Sequence, residues 1–302
     1  MKAVIQNNFN GVDGLSIENI ASPKLTMTSD LIQVKYAPIL PWDLKMEHGA
    51  LNQFNSTLPR IIGYSFSGTI KDTGILRNKK LVGKNVIGVS KNGTFADYVT
   101  SSIPFFTFVL PDNVSLQQGA TVFGGADTAL MIINELNIMP SDKVLIIGGS
   151  GGIGTYLLQM LNIMSVDAVT YSSKESAKFL TENFNNSIIT DEKNLTENYF
   201  NYIIDTSGLD ELIKQVEPFL KVNGTIFPLS LPNYLACRKD VNVVFKNSPI
   251  SPKSYKEILN MISHNSLIPF IDSIYDFKDT KKAQLHLKNH GKKGRILVNI
   301  ND

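Results

Sequence analysis

The feature that most constrains this fold is an apolar stretch that runs directly into a glycine-rich turn. The residues KVLII occupy 143–147, and GGSGGIG follows at 148–154. Gly149, Gly151 and Gly154 have GxGxxG spacing, which permits a tight turn, a close approach of backbone to phosphates, and close packing of helix on strand. Apolar residues then recur at helical spacing: Ile153, Leu157, Met160, Leu161 and Met164. The stretch predicts a βα unit that binds a dinucleotide pyrophosphate, and a tight turn without a ligand remains the alternative.

The rest of the chain predicts two kinds of domain. Early residues alternate at 31–36, and glycines recur at short intervals over 63–93, a pattern typical of a β-rich barrel or sandwich. From about residue 116, helical stretches alternate with short apolar strands at 144–147, 168–171, 202–204, 225–229 and 241–245. This alternation predicts a doubly wound parallel sheet. A strand near 270–275 and a final strand at 295–300 are expected to return to the first domain.

We therefore predict an α/β fold with a β-rich domain formed by 1–115 and 267–302, and a dinucleotide-binding domain formed by 116–266. A tight cleft is expected between them, where ligands commonly lie. The net charge of +2 argues against a nucleic-acid partner. The basic run that ends at Arg295 is interpreted as a solvated helix face and turn, with phosphate binding as the alternative. No stretch is apolar enough for a membrane helix, and the start turns polar too soon for a secretion signal, so we expect a cytoplasmic enzyme.

Several motifs along the chain carry a resemblance to a known family. They are KAV at 2–4, VGKNV at 82–86, GTFADYV at 93–99, the glycine-rich turn, IDTSG at 204–208 and GKKGRIL at 291–297. Together they resemble the medium-chain dehydrogenase/reductases, and within them the zinc-independent quinone oxidoreductases. The resemblance implies a GroES-like β-rich catalytic domain joined to a Rossmann domain. It also implies that Thr128 and Thr206 lie beside the cofactor, although Thr128 could equally cap a helix locally.

The resemblance also shows where zinc-dependent members hold their metal. In this chain those positions carry Leu40, the pair Tyr64 and Ser65, and Gly124. Zinc prefers thiolate, imidazole or carboxylate ligands, so we predict no metal site. The single cysteine, Cys237, excludes a multi-thiolate zinc site. The histidines are interpreted as ordinary polar residues: His48, His264, His286 and His290.

The end of the second Rossmann strand predicts which cofactor is bound. NAD-selective domains place an acid there to bind the ribose hydroxyls. This chain has Tyr171, Ser172, Ser173 and Lys174 instead, a set that suits a 2′-phosphate and favours NADPH. Helix capping by the serines and a solvated lysine remain the alternative. The predicted cofactor-binding residues are Thr128, Gly149, Ser150, Gly151, Gly152, Ile153, Gly154, Tyr171, Ser172, Ser173, Lys174 and Thr206.

Without zinc, no Lewis acid polarises a simple carbonyl. A quinone or an α,β-unsaturated carbonyl needs less help, because it delocalises the charge that hydride transfer creates. Tyr64 could donate a hydrogen bond to such an acceptor and Trp42 could stack on it, or both could fill a core. We predict an NADPH-dependent reductase of quinones or enones. The alternative is a dinucleotide-binding protein with a regulatory, structural or nucleic-acid-binding role. The resemblance also implies a homodimer that pairs through 241–245.

Overall fold

The computed structural model describes residues 1–50, 57–101, 106–288 and 292–301. The strands are β1 (Lys2–Gln6), β2 (Leu15–Asn19), β3 (Asp30–Pro38), β4 (Arg60–Ile61), β5 (Ser65–Thr73), β6 (Asn85–Val89), β7 (Tyr98–Ser101), β8 (Thr107–Val109), β9 (Lys143–Ile147), β10 (Asp167–Tyr171), β11 (Ser187–Ile189), β12 (Phe200–Asp205), β13 (Leu220–Pro228), β14 (Asn242–Val243), β15 (Ile271–Asp276) and β16 (Arg295–Asn299). The α-helices are α1 (Pro41–Glu47), α2 (Leu116–Ala120), α3 (Asp127–Leu136), α4 (Gly154–Ile163), α5 (Lys174–Asn183), α6 (Asp210–Val216), α7 (Pro252–Ser263) and α8 (Thr280–Lys288).

A six-stranded parallel sheet has the order β11-β10-β9-β12-β13-β14. Numbered along the chain, this is the 3-2-1-4-5-6 order of a Rossmann fold. Its central strands are apolar and buried because helices cover both faces, as a parallel sheet requires. The predicted doubly wound sheet is therefore confirmed. Strand β14 spans only Asn242–Val243 and is shorter than the predicted 241–245, whereas β11 was not predicted.

The remaining strands form a β-rich part that contains both ends of the chain. A seven-stranded sheet has the order β15-β16-β3-β5-β6-β8, with β7 pairing with β3, and a three-stranded sheet has the order β2-β1-β4. Because β16 pairs antiparallel with β3, the closing strands return to the first part of the chain as expected. The exact domain boundaries 1–115, 267–302 and 116–266 remain a prediction.

Two features place the two sheets against one another. The amide of Gly294, just before β16, donates to the carbonyl of Ser150 in the glycine-rich turn at 2.8 Å. Gly151 and Gly294 also form an isolated parallel β-bridge. The last strand of the β-rich part thus reaches the glycine-rich turn of the Rossmann sheet. Within the described ranges, no helix is long and apolar enough to cross a membrane.

Candidate active site

The glycine-rich turn connects β9 to α4 with little space between them. Gly148 has a φ of +85°, in the left-handed region that favours glycine. A Cβ on Gly154 would lie 2.3 Å from the carbonyl oxygen of Gly148, and one on Gly149 would lie 2.6 Å from Cγ2 of Thr170. A Cβ on Gly151, in contrast, would meet no atom closer than 3.4 Å. The turn is therefore closed on its strand and helix side and open at Gly151, where a pyrophosphate is expected.

A buried arginine lies directly beneath this turn. Arg295, the first residue of β16, is 4% exposed, and its guanidinium donates to the carbonyl oxygen of Gly124. A Cβ on Gly152 would lie 2.8 Å from both Cζ and Nε of that guanidinium. Nε is buried and has no hydrogen-bond partner among the described residues. A buried cation with an unused donor is costly unless an anion approaches it, so the residues around the turn fit a dinucleotide pyrophosphate.

The sequence-based interpretation of Arg295 as part of a solvated run is wrong. Burial lowers the pKa of its guanidinium, and Tyr156, Asp127 and Asp43 oppose that shift. Arg295 begins the last strand, β16, and the sequence alone does not show that this end of β16 lies under the glycine-rich turn. Because β16 and the glycine-rich turn are far apart in sequence, no local pattern could reveal the contact.

Thr206 adjoins the same turn from the neighbouring strand. Its hydroxyl donates to the carbonyl oxygens of Ile147 at 3.0 Å and Gly148 at 3.1 Å. The preceding residue, Asp205, is fully buried and accepts hydrogen bonds from the amide of Ser207 at 2.9 Å and from its hydroxyl at 2.5 Å. Burial raises the pKa of Asp205, and these bonds oppose the increase. Thr206 therefore lies beside the glycine-rich turn, with its hydroxyl bound to the loop backbone, and its contact with a cofactor remains a prediction.

The predicted 2′-phosphate residues lie at the carboxyl end of β10, next to β9. Ser173 is the N-cap of α5, since its Oγ accepts from a first-turn backbone amide at 3.3 Å, and Ser172 Oγ donates to the carbonyl of Ser173 at 3.2 Å. Lys174 is exposed in the first turn of α5. The hydroxyl of Tyr171 donates to Glu192 at 3.3 Å. The capping alternative thus describes Ser173, while the lysine remains accessible to a ligand.

The positions that hold zinc in related enzymes carry aliphatic or neutral groups. A Cβ on Gly124 would lie 2.9 Å from Cδ2 of Leu40, so these two positions meet through an apolar side chain. Ser65 is buried, and its hydroxyl has no partner in the described part of the chain. Among the described residues, no group of three or more His, Cys, Asp or Glu could hold a metal. His290 lies outside the described residues. Independence from zinc remains a prediction.

An acid and two tyrosines meet near the start of α3. The hydroxyl of Tyr255 donates to Asp127 Oδ2 at 3.0 Å, and the hydroxyl of Thr128 donates to Asp127 Oδ1 at 3.1 Å. Burial raises the pKa of Asp127, and these bonds oppose the shift. Burial also raises the pKa of Tyr64, with Asp127 adding to the increase, so its hydroxyl keeps its proton. Thr128 and Tyr64 were predicted from the sequence, whereas Asp127 and Tyr255 were not, because these two residues meet only in the folded chain.

The two predicted substrate-binding residues line one cavity of about 600 Å³. Trp42 on α1 and Tyr64 before β5 both line it, and Tyr64 is 46% exposed. Asp43, Glu47 and Arg60 line the same cavity and were not selected from the sequence. The volume falls in the range of small-molecule sites, which is roughly 300–1,000 Å³. The structure therefore brings Trp42 and Tyr64 together around one space and adds charged groups to its wall.

The two acids in this wall are one helical turn apart and almost completely buried. Asp43 accepts from the amide of Leu40 at 3.0 Å, and Glu47 Oε1 accepts from Gln284 at 2.6 Å. Burial raises the pKa of Asp43 to about 7. Burial and the nearby Asp43 raise the pKa of Glu47 to about 8. Close, buried carboxyl groups cannot both ionise easily, so the pair retains at least one proton near neutral pH.

Comparison with known proteins agrees with this fold. A zinc-type alcohol dehydrogenase-like protein of Schizosaccharomyces pombe is 26% identical over 318 residues, covering 94% of this chain and 90% of that protein. A mitochondrial NAD(P)H oxidoreductase of Dictyostelium discoideum is 24% identical over 352 residues, covering 99% of each. The structure of a quinone oxidoreductase from Coxiella burnetii matches with a TM-score of 0.88 and 22% identity, covering 100% of this chain and 99% of that chain. No family model matches the chain.

The fold and site define an α/β protein in which a Rossmann-like parallel sheet joins a β-rich sheet, as in quinone oxidoreductases of known structure. The relatives and structural neighbours of the chain are members of the medium-chain dehydrogenase/reductase superfamily, and the chain is similar to them over nearly its whole length.

Proposed function

We propose that this protein is an NADPH-dependent, zinc-independent oxidoreductase that reduces quinones or α,β-unsaturated carbonyls. One observation carries the proposal: the buried Arg295 lies beneath a glycine-rich turn that is open to a ligand and donates to the carbonyl oxygen of Gly124. Gly124 in turn lies against Leu40, the residue that precedes α1 and its cavity-lining residues. An anion-binding turn and an acceptor-sized cavity are thus neighbours. This is the arrangement that transfer between a dinucleotide and a flat acceptor requires.

The dinucleotide would be held by groups that the structure already orients. The backbone at Gly151 and the amino end of α4 would receive the pyrophosphate, with Arg295 supplying positive charge from below. Thr206 fixes the turn by bonding to Gly148. At the adenosine end, Ser172 and Lys174 would bind the 2′-phosphate, and no acid occupies 172–174 to repel it. The NAD(P)H oxidoreductase among the relatives supports a nicotinamide cofactor.

The nicotinamide supplies a hydride when bound. The residues of this chain orient the acceptor, exclude water and stabilise charge. Trp42 offers a flat surface for stacking, and Tyr64, which keeps its proton, donates a hydrogen bond to the acceptor oxygen. Because Leu40 and Gly124 cannot ligate a metal ion that would act as a Lewis acid, the acceptor must delocalise the developing negative charge itself. This favours quinones and enones over simple aldehydes.

The test is a panel of acceptors monitored by NADPH absorbance, with and without a metal chelator. We expect turnover of 1,4-quinones or enones, no turnover of ethanol or saturated aldehydes, no effect of the chelator, and no stoichiometric zinc by elemental analysis. Chelator inactivation that zinc restores would refute the zinc-independent assignment. Binding of NADPH without turnover of any conjugated acceptor would instead support the regulatory or structural alternative.

The proposal also covers the oligomeric state and the cellular location of the protein. Strand β14 forms one edge of the parallel sheet. Val243 in this strand and Phe245 just after it are each more than a third exposed, which suits pairing with a second copy through 241–245. We propose a homodimer, to be tested by light scattering. A cytoplasmic location is proposed as well, to be tested by fractionation of cells.

A further inference from the structure

The cavity wall contains an arginine that the proposed hydride transfer does not use. Arg60 on β4 lines the cavity, and its Nε donates to Oε1 of Gln6 at 2.8 Å. Gln6 is fully buried, and its amide donates to the carbonyl oxygens of Asn8 at 2.9 Å and Glu47 at 3.1 Å. These bonds fix which way the Gln6 oxygen points. The hydrogen bond to Gln6 therefore orients the Arg60 guanidinium in the absence of a ligand.

The outer edge of this guanidinium has no protein partner in the part of the chain that the structure describes. Neither terminal nitrogen of Arg60 makes a hydrogen bond or an ion pair there. Of the residues outside the described ranges, only Asp302 carries a carboxylate side chain. Burial lowers the pKa of Arg60, as expected for a cation removed from water without close pairing.

The nearby acids offset this charge only in part at neutral pH. Asp43 and Glu47 raise the pKa of Arg60, but each holds its own proton until about pH 7 and about pH 8 respectively. The other charged groups that act on the pair are Lys288 on α8 and Arg295 on β16, and both are cations. Lys91 adds a further positive charge to the cavity wall. The cavity is therefore positively charged and lined by aromatic residues.

We propose that this cavity is a subsite for the carboxylate of a planar, conjugated acid, with Arg60 as its anchor. The two terminal nitrogens, which have no partner among the described residues, match the two oxygens of a carboxylate, a geometry that arginine binds in bidentate fashion. Trp42 and Tyr64 provide the surfaces for the conjugated part. The inference rests on the proposed function for the identity of the ligand as an acceptor, and it narrows that acceptor to molecules that carry an anionic end.

The test uses the fact that Trp42 is the only tryptophan of the chain. Its fluorescence therefore reports directly on occupation of this cavity. The probes are trans-cinnamate and the matched neutral trans-cinnamamide, titrated at low ionic strength because salt screens charges. We expect cinnamate to change the Trp42 fluorescence at much lower concentration than cinnamamide. Equal affinity for the two probes, or no response to either, overturns the proposal without requiring any variant.

Variants then locate the charge that is responsible. A charge-assisted hydrogen bond contributes about 1.5–3 kcal/mol, so Arg60→Gln should weaken cinnamate binding roughly 10- to 100-fold and leave cinnamamide unchanged. Arg60→Lys keeps the positive charge but lacks the paired N–H donors of a guanidinium, and it should show an intermediate loss of cinnamate affinity. Lys79→Gln, an exposed substitution outside the cavity, is the control and should bind both probes normally. Equal loss of both probes in Arg60→Gln would overturn the role assigned to Arg60.

Failure of this inference is distinguishable from failure of the proposed function. The protein could bind cinnamate selectively while none of the tested acceptors supports NADPH oxidation. That result would support the carboxylate subsite, refute the reductase activity and overturn the identification of the subsite's ligand as an acceptor. Turnover of neutral quinones together with equal probe affinities would retain the reductase and remove the subsite.

Discussion

Replacing Glu47 with glutamine is expected to flatten the pH dependence of stability. Glu47 is 1% exposed, and its pKa of about 8 in the folded protein lies above its ordinary value of 4.5. Between these values the folded chain holds a proton that the unfolded chain has released. The free energy of unfolding therefore falls as pH rises through this window, because the folded state binds more protons. Glutamine cannot ionise and does not carry this dependence.

The size of the effect follows from the pKa difference. One pKa unit corresponds to about 1.36 kcal/mol, so Glu47 alone should lower the free energy of unfolding by about 3 kcal/mol between about pH 5.5 and about pH 7.5. Urea unfolding of the wild type and of Glu47→Gln across this range measures it. All other titrating groups cancel in the difference between the two proteins, apart from Asp43, which is coupled to Glu47.

A matched control separates this effect from a general response to losing a glutamate. Glu182 lies on α5 with its carboxylate exposed near Lys178, far from the cavity. Glu182→Gln should leave the slope of stability against pH unchanged. If Glu47→Gln and the wild type gave parallel profiles, the assignment of a raised pKa to this buried acid would be refuted.

Three further predictions concern the dinucleotide site. Arg295→Met should weaken NADPH and NADH by the same factor, roughly 10- to 100-fold, because both share the pyrophosphate; calorimetric titrations check it, and a selective loss would contradict the role proposed for Arg295. Lys174→Ala should weaken NADPH up to roughly tenfold, less than a buried contact because the lysine is solvated, and leave NADH unchanged; equal losses for both would exclude reading of the 2′-phosphate. Gly154→Ala should destabilise the fold by about 1–3 kcal/mol and weaken both cofactors, since its Cβ would lie 2.3 Å from the Gly148 carbonyl oxygen; an unaltered melting temperature would contradict this.

The parallel sheet and its turn could be predicted because their signals are local. The apolar run at 143–147, the glycines after it and the helical stripe that follows are contiguous in sequence, and each needs only its near neighbours to adopt its structure. The capping role of Ser173 is local as well, and it was foreseen as an alternative. The length of β14 was overestimated because the apolar residues at 241–245 suggest a strand throughout, whereas only Asn242 and Val243 pair with β13.

The charged residues of the site could not be predicted, since their burial depends on contacts between distant segments. Arg60 owes its orientation to Gln6, 54 residues earlier. Glu47 pairs with Gln284, 237 residues later, and Arg295 reaches Gly124 across 171 residues. In sequence, Asp43 and Glu47 resemble an ordinary polar face of a short helix. Only the folded arrangement shows that Asp43, Glu47 and Arg60 line one cavity.

The account depends most on hydride transfer to a conjugated acceptor, and an isotope experiment tests this directly. NADPH deuterated at C4 of the nicotinamide, on each face in turn, is incubated with the protein and an enone, and the product is analysed by mass spectrometry and NMR. We predict a saturated ketone that carries one deuterium at the former β-carbon, from one face of the cofactor only. Deuterium at the carbonyl carbon of an allylic alcohol, or no deuterium in the product from either labelled face, would contradict the account.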